Sequence, residues 1–186
     1  NLAVWLLLAA VMTGAALHRV GRYKDRPLYN PRSDTAFFYT EEAFQYRYTR
    51  MVANGEAVPR LDRKAQWPEG IAPFRDLTLF QEYLHGTAFR LFSAVAGAVP
   101  LHLFLIYFVS FFSTLAVAAL FFSARALGAD NRTALFCAAV YAFTGAAFAR
   151  VQFYELESTA FPLMALSFAA GLHALRGRGS VWPGAI

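Results

Sequence analysis

The residues with the clearest chemical potential are acids standing beside apolar runs. Arg150-Val151-Gln152-Phe153-Tyr154-Glu155-Leu156-Glu157 lies between two long apolar stretches, 133–149 and 158–175. Charge at a membrane boundary is costly enough to need a reason. The plain reason is that boundary charges anchor helix ends in water. The sharper reason is a site. Glu155 and Glu157 are two residues apart. On a helix that spacing points them about 200° apart. In an extended or turn segment they can converge on one divalent cation, which prefers hard oxygen ligands. An E-x-E pair is a weak motif alone, so an acid from a second segment matters.

Such acids precede it in 18–100, a long mixed segment that holds most of the charge and many of the prolines. Ser33-Asp34 reads as an N-cap signal. Phe37–Asn54 then reads as an amphipathic helix stopped by Asn54-Gly55. At 100° per residue Phe37, Phe44, Tyr48 and Met51 share one stripe. Glu41 falls inside that stripe and Glu42 to its side. A carboxylate on a buried face needs a partner or a metal, so Glu41 is the candidate and Glu42 the solvated charge. Asp34 is explained as a cap and counts as an additional ligand only after Glu41. Trp67-Pro68-Glu69-Gly70 is a turn signal inside the irregular stretch Pro59–Pro73. Asp76–Val99 reads as a helix carrying Glu82, His85 and Arg90 among apolar residues. A lone histidine such as His85 is more often a hydrogen-bonded interface residue than a ligand, and no second histidine stands at metal-ligand spacing.

These elements need a scaffold, and composition says which. The 186 residues are 58% hydrophobic and only 16% charged, with a mean hydropathy of +0.38. Soluble domains carry about 25% charge, so an integral membrane protein is the natural class. The net charge of +5 is interleaved with apolar runs. That suits an anionic membrane surface, and nucleic-acid motif spacing is missing. The single Cys137 lies in an apolar run and reads as a packing residue. Four spans are expected, at about 2–17, 101–127, 133–149 and 158–175, in an all-α polytopic bundle with a long helical first outer loop. A signal-peptide core is the alternative reading of the first run. The chain starts on Asn1 inside an apolar run and ends on the apolar Val181–Ile186, which reads as an N-terminal piece of a longer membrane domain.

Arg125 with Arg132, and Arg176 with Arg178, are basic flanks of short connections, which the positive-inside rule places in the cytoplasm. Four spans then put 18–100 and 150–157 outside together. Asp34, Glu41, Glu155 and Glu157 would lie on one side of the membrane, which is where a shared metal site can form.

In this order the residues resemble the catalytic subunit of oligosaccharyltransferases, membrane glycosyltransferases of the GT-C class. That family carries an Asp-x-x-aromatic-Asn/His-x-Arg pattern in its first outer loop, similar to Glu41-Glu42-Ala43-Phe44-Gln45-Tyr46-Arg47. Its Tyr-Pro-x-Gly is similar to Trp67-Pro68-Glu69-Gly70. Its second acidic motif, D-x-D after Tyr with an upstream Arg, is similar to Arg150 through Tyr154-Glu155-Leu156-Glu157. The acids here are Glu where the family more often has Asp, and Gln45 replaces Asn or His. A later catalytic acid and the Trp-Trp-Asp-Tyr-Gly acceptor motif are missing.

The resemblance implies a GT-C-like fold and a sugar donor on a polyprenyl phosphate or diphosphate. It implies an asparagine in a sequon, in a protein or peptide, as acceptor. Glu41, Glu155 and Glu157 would be catalytic and hold Mg²⁺ or Mn²⁺, with Asp34, Arg47, Arg150, Tyr154 and His85 as additional site residues. Arg47 or Arg150 would touch phosphate, unless Arg47 pairs with Glu41. The active face would lie outside the cytoplasm in a multi-pass protein, as in a prokaryotic plasma membrane. Two other readings stand beside it: another GT-C enzyme moving a single sugar, and a transporter or scaffold whose acids anchor helix ends.

Overall fold

The computed structural model describes residues 2–34, 38, 41–65, 68–144, 154 and 156–177. Among these the chain is all-helical, with no strand. Three helices are long and apolar enough to cross a membrane: Leu2–Lys24, Leu101–Ala126 and Glu157–Gly177. The elements are α1 (Leu2–Lys24), α2 (Glu41–Ala53), α3 (Pro73–Asp76), α4 (Phe80–Ala96), α5 (Leu101–Ser113), α6 (Leu115–Ala126), α7 (Asn131–Phe143) and α8 (Leu156–Gly177). They form two compact units, one from residues 2–23, 108–144 and 157–177, the other from Lys24–Tyr107 with Tyr154 and Leu156.

In the first unit α1 and α8 run longer than the apolar pattern alone suggests. The first apolar run continues through Arg19 and Val20, both buried, to Lys24. α5 and α6 are one apolar rod interrupted at Thr114. Ser113 and Thr114 return their hydroxyls to the carbonyls of Ser110 (2.9 Å) and Phe111 (2.7 Å), the back-bonding by which such residues bend helices. Ala134, Ala138 and Ala142 recur every fourth residue on α7 and are fully buried with Val117 and Phe121 of α6 and Leu8 and Ala15 of α1. Small residues on one stripe let helices approach closely. The expected third span, 133–149, is helical from Asn131 to Phe143, and its remainder beyond Thr144 lies outside the described residues.

Contacts within this unit set the direction of each helix. The Trp5 ring, near the start of α1, lies 5.9 Å from Phe121 and 6.0 Å from Phe122, near the end of α6. The Phe143 ring, at the end of α7, comes against Gly14, well along α1. Near the end of α8, His173 Nε2 meets the Phe122 carbonyl at 3.1 Å, and Arg176 donates to the Arg125 carbonyl. The start of α1 and the ends of α6 and α8 therefore share one end of the unit.

The second unit is built on the pairing of α2 with α4. Tyr48, Val52, Val58 and Leu79 form its core, with Phe44, Met51 and Leu77 packed on them. The predicted apolar stripe is thus the packed one where it is described; Phe37 lies outside the described residues. The helix itself spans Glu41–Ala53, and its stop at Asn54-Gly55 holds, with Gly55 at φ 75°. Gly86 of α4 is what lets the pair close. A Cβ there would stand 2.7 Å from Val52 and 3.0 Å from the Ala53 nitrogen.

Candidate functional site

The Pro68-Glu69-Gly70 turn has a structural task. Gly70 sits at φ 80°, and a side chain there would crowd Arg63 and the Asp62 carbonyl at 3.3 Å. The turn closes a two-residue bridge in which Asp62 and Ile71 exchange backbone hydrogen bonds of 2.7 and 3.1 Å. Asp62, so placed, accepts from Arg47 Nε at 2.9 Å and Nη2 at 3.2 Å, and from the Tyr48 hydroxyl at 3.3 Å. Burial pushes the Asp62 carboxyl up, but Arg47, the Lys64 N–H and Tyr48 together hold it below the usual range. Burial, then Asp62, push the Tyr48 hydroxyl up to about 12. Arg47 is therefore the partner of Asp62 and not of Glu41.

The opposite face of α2 is polar and also buried. Glu42, Gln45, Tyr46 and Thr49 recur at i, i+3, i+4 and i+7, one helical stripe. Glu42 is 2% exposed and Glu41 is exposed, the reverse of the sequence expectation. Glu41 opens the helix, one turn above the cluster that covers Phe44 and Tyr48, and among the described residues none encloses it. Glu42 points inward onto Arg26, which donates from Nη1 to Oε2 at 2.7 Å and from Nη2 to Oε1 at 3.0 Å. The same Oε1 accepts the backbone N–H of Tyr154 at 2.9 Å.

Tyr154 is the centre of the site. It is 1% exposed and wedged against α2 and α4. Its hydroxyl lies 2.5 Å from Thr49 Oγ1 and 3.2 Å from His85 Nδ1. Its ring stands 5.8 Å from that of Phe38 and 5.5 Å from that of His85. Gln45 faces Gln81 at 2.6 Å. With its amide nitrogen turned toward the Tyr154 carbonyl, Gln45 donates there at 2.9 Å and accepts from the Leu156 N–H at 3.2 Å. The residues on either side of Glu155 are thereby tied to α2. Burial raises the Tyr154 hydroxyl far above its ordinary value. It lowers His85 to about 3, so the imidazole is neutral.

Glu82 completes the cluster from α4. It is 4% exposed, its Oε2 has no hydrogen-bond partner among the described residues, and burial raises its carboxyl to about 7. Asp34 does not cap α2, which begins seven residues later at Glu41. It accepts from the Tyr46 hydroxyl at 2.6 Å and faces Arg50 at 3.5 Å. Burial, then Asp34, raise the Tyr46 hydroxyl. Asp34, Tyr46 and Arg50 line a cleft of about 360 Å³ that also takes in Arg32, Asn54, Phe89 and His102.

Of the expected site residues, the structure brings Tyr154 and His85 together. Arg150 and Glu155 lie outside the described residues, and Glu157 is a half-buried residue in the first turn of α8, in the other unit. Among the described residues no three His, Cys, Asp or Glu side chains gather as a metal-binding group. The sequence reading missed Glu42, Arg26, Asp62, Gln45 and Thr49. The available signal was the second stripe on α2, whose polar members repeat with helical period just as the apolar ones do. Comparison with models of known families, with curated proteins and with solved structures gives no match.

Proposed function

We propose that this chain acts as a membrane glycosyltransferase of the oligosaccharyltransferase kind. It would move a glycan from a polyprenyl phosphate or diphosphate to an acceptor, with a protein asparagine as the favoured one. The observation that carries this reading is the bond between Glu42 of α2 and the Tyr154 N–H, 112 residues later in the chain. It joins the first acidic motif, Glu41 through Arg47, to the Tyr-Glu-Leu-Glu stretch, the two segments that carry the resemblance.

The division of labour follows from what each side chain touches. Glu42, with both oxygens engaged by Arg26 and one also by Tyr154, serves as a fastener. Glu41, exposed at the start of the same helix, and Glu155, between the two tied residues, are the acids left for chemistry. Glu157 is carried by the resemblance alone. Carboxylate oxygens are the donor chemistry that Mg²⁺ or Mn²⁺ takes. Glu41, Glu155 and Glu157 would hold the ion, which supplies positive charge to offset that on a departing phosphate. Arg47 is engaged by Asp62, so phosphate contact falls to Arg150, aided by the guanidinium groups of the cleft, Arg32 and Arg50. A carboxylate beside the acceptor amide N–H would orient it for attack.

The test uses the full-length protein in membranes and follows label from a lipid-linked glycan to a sequon peptide, with and without Mn²⁺. Metal-dependent transfer that is lost in Glu155→Gln and in Glu157→Gln establishes both activity and acids. Transfer that survives both substitutions and chelation keeps the enzyme class and reduces the acidic pair to an anchor. Transfer of a single sugar to lipid, with none to peptide, moves the chain to the other GT-C chemistry.

A further inference from the structure

A second site lies in the first unit, at the end where α1 starts and α6 and α8 finish. A cleft of about 280 Å³ opens there between helices, lined by Val4, Trp5, Phe121, Phe122, Arg125, Asn131 and His173. Its walls are apolar and aromatic, while its rim is polar and basic. Arg176 donates to the Arg125 carbonyl, so its guanidinium belongs to this rim. Arg125 and Arg132 both interact with Asp130. That carboxylate also accepts the Thr133 N–H at 2.7 Å, as the N-cap of α7. Two guanidinium groups thus face one carboxylate, and Arg176 adds a third positive charge beside Arg125, leaving the rim net positive.

Three facts restrict the occupant. The cleft is bounded by α1, α6 and α8, all belonging to helices of membrane-spanning length. Trp5 on α1 is 49% exposed, and tryptophan is the residue type enriched at membrane–water interfaces. Basic ends of membrane helices face the cytoplasmic leaflet by the positive-inside rule, and that leaflet is the one rich in anionic lipid. We infer that this cleft holds an anionic phospholipid, with its phosphate on the Arg125–Arg132–Arg176 rim and the upper part of an acyl chain along Trp5 and Phe122. The proposal does not rest on the chemistry proposed above.

The experiment is thermal unfolding of the full-length protein in a mild detergent, titrated with short-chain phosphatidylglycerol. Phosphatidylcholine of the same chain length and inorganic phosphate run in parallel. The expected result is a saturable rise in Tm with phosphatidylglycerol only, because a ligand that binds only the folded state stabilises it. Arg132→Gln with Arg176→Gln should weaken the apparent affinity by roughly tenfold or more, at about 1 kcal/mol per basic residue. These two side chains are exposed, so their loss leaves the helix cores intact. Trp5→Ala, which removes an apolar wall, should weaken it as well. Equal stabilisation by phosphatidylcholine overturns the proposal. A phosphatidylglycerol response unchanged in the double variant overturns it too. Inorganic phosphate reproducing the full shift overturns the lipid and leaves a free-anion site.

Discussion

Glu82 and His85 sit one turn apart on α4 and are both nearly sealed from water. Burial acts on them in opposite senses, because it disfavours the charged form of each. Glu82 moves from 4.5 to about 7, and His85 from 6.5 to about 3. For Glu82 the folded state holds a proton that the unfolded chain has released. Stability is therefore lost as pH rises from 4.5 to about 7 and is flat above. For His85 the unfolded chain takes the proton first, so stability is lost as pH falls from 6.5 toward about 3. Glu82→Gln should raise Tm at pH 8 and leave it little changed at pH 4, read by unfolding in detergent across that range. A variant whose gain is the same at both pH values would show that Glu82 is not neutral when folded. Sequence made these residues hard to rank. Glu82 stood out only as a charge among apolar neighbours, and Glu42 looked solvated because the apolar stripe beside it set the expected buried face. Burial of a carboxylate depends on a partner, and Arg26 and Tyr154 are 16 and 112 residues away from Glu42.

At the scale of elements, α2 and α4 meet at Gly86, and the contact has no slack. Gly86→Ala would normally favour a helix by about 1 kcal/mol. Here the added methyl meets Val52 and the backbone nitrogen of Ala53, so overpacking should win and destabilise the unit by about 1–3 kcal/mol. The readout is the unfolding midpoint, with Gly55→Ala as the comparison. That substitution meets no atom within 4 Å and loses stability only through its positive φ. A stabilised Gly86→Ala would mean that the two helices are not closely packed. The elements were readable where local chemistry decides them: the Asn54-Gly55 stop, the Pro68-Glu69-Gly70 turn and the apolar stripe of α2. The start of α2 was not, because Asp34 looks like a cap. Its carboxylate instead bonds Tyr46 and Arg50, twelve and sixteen residues on, a choice made by tertiary packing.

At the scale of the molecule, the described contacts of the first unit have a topological consequence. α6 and α8 end side by side, so the chain from Leu127 to α8 must travel back along the unit before α8 can return. α7, with its last ring against Gly14, begins that return. Three of the four spans expected from sequence are described as helices of membrane-spanning length, and the third is described over 13 residues only, so the alternation of four spans is a prediction. Labelling with a membrane-impermeant thiol reagent checks this, after Cys137→Ser removes the single cysteine. Glu56→Cys should react in intact cells, and Arg132→Cys and Arg176→Cys only after permeabilisation. Arg132 and Arg176 labelling from opposite sides would refute the alternation. Apolar length made the three membrane-spanning helices legible, since it is a property of short stretches. The fastening of Tyr154 was not, because it depends on residues far apart in the chain. That long reach also dictates an order of biosynthesis. A ribosome delivers α2 and α4 nearly sixty residues before Tyr154, so the Thr49 hydroxyl and the His85 ring must wait for the Tyr154 hydroxyl until most of the membrane helices have been made.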